Sequence, residues 1–170
     1  MSYAWFANLR LGKAARMALK GLARGRKVRI GQVVGDALTE WYDGDRKTPK
    51  VRFSYVREIQ FQVLISIDDD REEYEYFLSD FHKQHGLNKI ELYSAMVYSY
   101  LCKYSEDFKK RSDTIDRDFK RIEDGDVKFL NTAAGRDTVV LYGRMKEKER
   151  VRKKLMANRR KRNKREKAQL

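Results

Sequence analysis

Three residue types are scarce in this chain, and each scarcity narrows what it can be. Among 170 residues there is one cysteine, Cys102, one proline, Pro49, and only two histidines, His82 and His85. A lone cysteine forms no internal disulfide and fits a reducing compartment. Two neighbouring histidines with a distant thiol fall short of a zinc ligand set, so no metal site is expected. The phosphate-cradling G-x-x-x-x-G-K, the nucleophile elbow G-x-S-x-G and paired cysteines are also missing, which removes the usual nucleotide, hydrolase and redox signatures. Asp124 and Asp126 have metal-binding chemistry, but nothing in the sequence places them in a cleft; no catalytic residue and no cofactor are expected, and the chain does not read as an enzyme. Long apolar runs are lacking too. The opening MSYAWFANLRLGKAARM is broken by Asn8, Arg10 and Lys13, so it offers neither a signal peptide's core nor a membrane span.

What the chain has in excess is positive charge: 39 basic against 25 acidic residues, a net +14 and a pI near 9.8. Such a balance favours a polyanionic partner, since Lys and Arg release counterions from phosphates. The charge is unevenly placed. Residues 1–57 hold 13 basic and 4 acidic residues, residues 58–143 hold 12 and 18, and residues 144–170 hold 14 and 3. Two basic ends flank an acidic middle, which suggests separate tasks.

The middle contains the stretch that orders the rest. In IQFQVLISI, Ile59, Phe61, Val63, Ile65 and Ile67 share one face while Gln60, Gln62, Leu64 and Ser66 share the other, the period of a half-buried strand. Asp68, Asp69 or Asp70 can start a helix, whose apolar stripe is Tyr74, Phe77, Leu78 and Phe81 and whose stop is Gly86. Asn88 then caps a second helix with Ile90, Tyr93, Met96, Val97, Tyr100, Leu101 and Tyr104 on one stripe. The aromatic residues Tyr93, Tyr100, Trp41 and Phe77 sit on such stripes and read as core rather than as base-stacking platforms.

Residues 5–42 repeat that order with other letters. Trp5, Ala7, Leu9 and Leu11 face one way, and Phe6, Asn8 and Arg10 the other. A helix over residues 12–26 turns Ala15, Ala18, Leu19 and Leu22 inward, a turn follows at residues 25–29, and the next helix carries Ile30, Val33, Val34, Ala37, Leu38, Trp41 and Tyr42. The join, YDGDRKTPKVRFSYVRE, holds the proline and reads as a linker.

Strand, helix, turn, helix, with the strand phased this way and a Gly-Leu-Asn-Lys turn, resembles the ribbon–helix–helix superfamily of MetJ/Arc-type DNA-binding proteins. The resemblance covers about 45 residues of the second copy and, more loosely, the first, whose GRKVR turn lacks a small capping residue. It implies a mainly α fold with a short two-stranded antiparallel β-ribbon, built as tandem copies. It also implies that the ribbon enters the major groove of double-stranded DNA and reads bases with its outward residues. The candidates are Phe6, Asn8, Arg10, Gln60, Gln62 and Ser66: arginine matches guanine and asparagine matches adenine as bidentate partners. Phe6 and Leu64 depart from this polarity, and either touches a thymine methyl or packs against the rest of the chain. The bland alternative for the whole set is a solvent-facing strand side. In the family the amino end of each second helix holds phosphate, which points to Lys27 and Arg29 in copy one and Asn88 and Lys89 in copy two.

These readings divide the chain into copy one (1–44), a linker (45–57), copy two (58–110), a short helix and a small hairpin or edge strand (111–143), and a basic tail (144–170). In the fourth segment Ser112 or Asp113 is expected to cap a helix with Ile115, Phe119 and Ile122 inward, and VKFLN and TVVLYG to form the hairpin. The tail, with Arg152, Lys153, Arg159 and Arg160 as phosphate candidates, reads as a solvated helix or a disordered segment that orders on a polyanion. The expectation is a cytoplasmic, nucleoid-associated DNA-binding protein, a repressor or a plasmid or virus accessory factor. It would be an intramolecular pseudo-dimer or a homodimer, able to assemble further on DNA, with no membrane partner. The competing reading is an RNA-binding or packaging protein that works through its tail while the folded middle binds another protein.

Overall fold

Alternation of apolar and polar side chains over nine residues gives two strands, and both form. In the computed structural model, which describes residues 3–44, 59–67 and 88–168, β1 (Tyr3–Leu11) and β2 (Ile59–Ile67) make a two-stranded antiparallel ribbon within one chain. The register runs from Tyr3↔Ile67 to Leu11↔Ile59, so every residue of each strand is paired. The inward face is as phased from the sequence: Ala7, Leu9, Leu11, Val63 and Ile65 are buried and Phe61 is partly buried. Ile59 departs from that expectation, being 42% exposed. It stands at the end of the ribbon, opposite the fully buried Leu11.

Among the described residues three helices build the core with the ribbon: α2 (Ile30–Asp43) and α3 (Lys89–Tyr104) pack on the strands, and α1 (Lys13–Arg26) packs on those two helices. Ala15, Leu19 and Ala23 form the buried stripe of α1, with Ala18 and Leu22 at its margin. Val33, Val34, Ala37, Leu38 and Tyr42 do the same for α2, and Leu92, Met96, Val97 and Leu101 for α3. Nine of the core side chains, Leu9, Leu11, Leu19, Val33, Leu38, Ile65, Leu92, Met96 and Leu101, are under 2% exposed. Each such burial stabilises by about 1.5–3 kcal/mol relative to exposure. The packing is crosswise: α2 lies on β2 and α3 on β1, so each helix covers the strand of the other half of the chain.

Two local devices fix the helix positions. Gly31 meets the backbone of β2 so closely that a Cβ there would land on the Leu64 carbonyl. Only glycine permits that approach. On the other side, the Ser94 hydroxyl accepts from the Arg10 N–H at 2.9 Å, and the Tyr98 hydroxyl accepts from the Gly12 N–H at 3.1 Å, so α3 holds the end of β1 by its backbone.

Beyond α3 the chain departs from expectation. Ser105, not Ser112 or Asp113, caps the next helix, α4 (Glu106–Glu123), by accepting from the Phe108 N–H. Starting seven residues earlier turns Phe108, Ser112 and Phe119 inward and leaves Ile115 39% exposed. The hairpin or edge strand expected over residues 127–143 does not form. Asp126 caps a single turn, α5 (Val127–Leu130), and α6 (Ala133–Ala168) follows as one 36-residue helix, about 54 Å long at 1.5 Å per residue. TVVLYG has strand composition, but its β-branched residues lose only a few tenths of a kcal/mol each in a helix. Against that small cost stand a start at Thr132, whose hydroxyl accepts from the Gly135 N–H at 2.9 Å, and a long run of helix formers downstream. Gly135 itself is required because a Cβ would overlap the Phe129 carbonyl. The boundaries placed at residues 110 and 144 accordingly fall inside α4 and α6. The helix expected between β2 and α3, from Asp68–Asp70 through Tyr74, Phe77, Leu78 and Phe81 to Gly86, falls on residues outside those described, as do both histidines and the expected linker.

Candidate nucleic-acid interface

Strand alternation pushes the residues left over from the core onto one open face. Opposite pairs there are Phe6–Leu64, Asn8–Gln62 and Arg10–Gln60, with Ala4 opposite Ser66 at the far end. Arg10, Gln60 and Gln62 are exposed and Asn8 is partly so; Phe6 is 63% and Leu64 49% exposed. The Arg10 guanidinium donates to Gln60 Oε1 at 3.4 Å, at the long end for a hydrogen bond and weak in water. Of the six base-reading candidates, five therefore share this face; the side chain of Ser66 lies outside those described. Phe6 and Leu64 settle the question raised by their polarity: they stand side by side on the open face and do not pack into the core.

The α1–α2 turn carries further cations. Helix α1 ends in a left-handed residue, Lys27 (φ 55, ψ 38), with Lys27 N–H returning to the Arg24 carbonyl and Val28 N–H to that of Ala23. Glycine is the usual residue in this closure, and a side chain there costs about 1–2 kcal/mol. The Lys27 side chain is exposed, and so is Arg29, which stands at the start of α2 without using its side chain as a cap. The helix end, with its partial positive charge, thus has two cations next to it and no carboxylate in its first turn.

The amino end of α3 is built differently. Asn88 Oδ1 accepts from the Glu91 N–H at 2.8 Å and the Glu91 carboxylate accepts from the Asn88 N–H at 3.1 Å, a complete capping box. The cap expected at Asn88 is therefore present, but it sets a carboxylate where a phosphate would sit. Lys89 is exposed beside it. The two helix ends assigned to phosphate are thus unequal in charge and in vacancy.

Behind this surface a polar network ties the three helices. Arg26 donates to the Tyr100 hydroxyl at 2.5 Å, reaches Asp36 at 3.4 Å and lies 5.3 Å from the centres of both the Tyr100 and Tyr104 rings. The Tyr100 hydrogen bond raises the Arg26 pKa, and burial raises that of Tyr100. Glu40 receives Lys103 at 2.6 Å and Tyr104 at 2.5 Å; burial pushes its carboxyl up, yet these two hydrogen bonds prevail and hold it below the usual range. Arg26 is thereby committed to the scaffold, while Lys27 and Arg29 face outward.

The long helix α6 is anchored near its start. Tyr142 packs edge-on to Phe119 at 5.4 Å and donates to Glu123 at 2.7 Å, Lys146 pairs with the same carboxylate at 3.6 Å, and Arg121 lies 4.1 Å from the Phe129 ring. Past residue 150 the described side chains are exposed apart from Met156, and the charged pair Arg162–Glu166 lies within the helix itself. Lys153, Arg159 and Arg160 are exposed on this arm; the Arg152 side chain is outside those described.

Sequence reading located the open face but not what steadies it. Ser94 and Gly31 each interrupt an apolar stripe, and that interruption was the available signal. The pairing of Arg26 with Tyr100 and of Glu40 with Lys103 left none, because it joins elements distant in sequence. Among the described residues no group of three His, Cys, Asp or Glu side chains is placed to hold a metal ion, and no helix is long and apolar enough to cross a membrane. No protein-family model, curated protein or solved structure matches the chain.

Proposed function

We propose that the chain is a sequence-specific double-stranded DNA-binding protein in which two tandem ribbon–helix–helix copies build a single ribbon that enters the major groove. The observation that carries this reading is the antiparallel ribbon formed within one chain, with its inner face in the core and Asn8, Arg10, Gln60 and Gln62 on the open side. A two-stranded ribbon fits the major groove, and these side chains match the donors and acceptors of base edges. The crosswise covering of each strand by the other half's helix is what two interlocked copies would give. Lys27 and Arg29 clamp phosphate at the start of α2, and the basic arm of α6 adds contacts that carry no sequence information. A repressor or an accessory factor of a plasmid or virus would use such a molecule.

A second reading has an observation of its own: the exposed, basic end of α6 can bind any polyanion, RNA included. Selection of bound sites from random duplexes by the full-length chain, repeated with RNA as competitor, separates the two. DNA reading predicts an enriched sequence and poor competition by RNA. Equal competition by RNA and no enrichment would leave only the arm.

A further inference from the structure

The two halves of the reading face are not alike, and this points to the kind of DNA it fits. The register centres the ribbon on the inward pair Ala7↔Val63, the midpoint of both strands. In a symmetric dimer the two outward halves about that centre would be identical, and the target would be a palindrome. Here rotation about the centre exchanges Phe6 with Gln62 and Asn8 with Leu64. One half carries the apolar Ala4, Phe6 and Leu64, with Ser66 paired to Ala4 at its far end; the other is polar and cationic, Asn8, Arg10, Gln60 and Gln62.

The supports are divided the same way. The start of α2, with Lys27 and Arg29, lies against Leu64 through Gly31, next to the apolar half. Helix α3, whose amino end is closed by Asn88 and Glu91, holds the polar half through Ser94 and the Arg10 backbone. The apolar half thus has the phosphate clamp and the polar half has the hydrogen-bonding groups.

Resting on the reading of the ribbon as a DNA-reading surface, we infer that its target is a single non-palindromic core, with thymines beneath Phe6 and Leu64 and purines beneath Asn8 and Arg10. The thymine C5-methyl is the one apolar group on the major-groove edge, whereas guanine and adenine offer bidentate partners to arginine and asparagine. The four steps from Phe6 to Arg10 span about 13 Å at about 3.3 Å each. That is about four base pairs at 3.4 Å per step, so one ribbon covers both parts of the core.

Site selection with the full-length chain tests this directly. The expected core differs from its own reverse complement and joins a thymine run to a guanine- or adenine-bearing run. Replacing those thymines by deoxyuridine, which removes only the methyl, should weaken binding by about fourfold per contacted methyl. Phe6→Gln, at a solvent-facing position and checked for a native circular dichroism spectrum, should lose the part of that sensitivity that comes from the thymine beneath Phe6 while keeping its preference for the purine half. An enriched palindrome, or full affinity for the deoxyuridine duplex, overturns the inference and leaves DNA reading standing. Failure to enrich any sequence removes both.

Discussion

Adjacent residues on β1 have opposite duties, and this is the sharpest place to test the strand. Leu9 is fully buried and Arg10 is exposed. Leu9→Ala should destabilise the fold by about 2–5 kcal/mol in denaturant titration, because it opens a cavity between ribbon and helices. Arg10→Ala should leave the unfolding midpoint nearly unchanged and weaken binding to the preferred duplex by about 1–3 kcal/mol, with selectivity relaxed at one base position. A second residue-scale test concerns pH. Glu40 is held below the ordinary carboxylate range, so its stabilisation is present above the unfolded carboxylate pKa and lost as pH falls through the folded value. Lys103, raised by Glu40, contributes below the ordinary lysine range and loses its share in alkali. Melting curves for wild type and Glu40→Gln should differ most near about pH 6–8 and converge below about pH 3. The gap should be small, since both side chains are more than a third exposed. Strand phase made the burial of Leu9 and the exposure of Arg10 legible in the sequence. Nothing in it joins Glu40 to Lys103, because that pair exists only once α2 and α3 are packed.

At the scale of elements, the periodic ones were legible and the end of the chain was not. Helices α1, α2 and α3 follow from their i, i+3, i+4 stripes, and Asn88 announced its own cap. The hairpin expected over residues 127–143 failed because a short β-branched run says less than the helix that continues from it. What a six-residue window cannot show is that Thr132 and Gly135 begin a helix that runs on to Ala168. That continuity shapes the next test. Because Tyr142 and Lys146 anchor α6, a truncation should be made after the anchor, removing residues 150–170. The shortened chain should keep its melting temperature and its preferred site while losing affinity for all duplexes alike. If about five phosphate contacts are lost, the slope of log affinity against log salt should fall by about 4–5. Loss of the preferred site would mean that the arm takes part in reading.

For the whole molecule, the ribbon within one chain sets the expectation. Both strands and all the core helices come from the same polypeptide, so sedimentation at dilute concentration should give a species of about 20.2 kDa. Melting should also be independent of protein concentration. A dimeric mass with concentration-dependent melting would mean that strands exchange between chains. Among the described residues the sheet has two strands, and an unpaired strand edge is a template for a third strand from a neighbouring molecule. On β1 the backbone donors of Arg10 and the adjoining Gly12 are taken by hydroxyls of Ser94 and Tyr98, and Tyr98 is itself backed by Phe108 at 5.9 Å. These two hydroxyls occupy, at the end of β1, donors that a third strand would otherwise reach. The helix that steadies the ribbon thus also withdraws from any incoming strand the donor of Arg10 and the one just past the strand end.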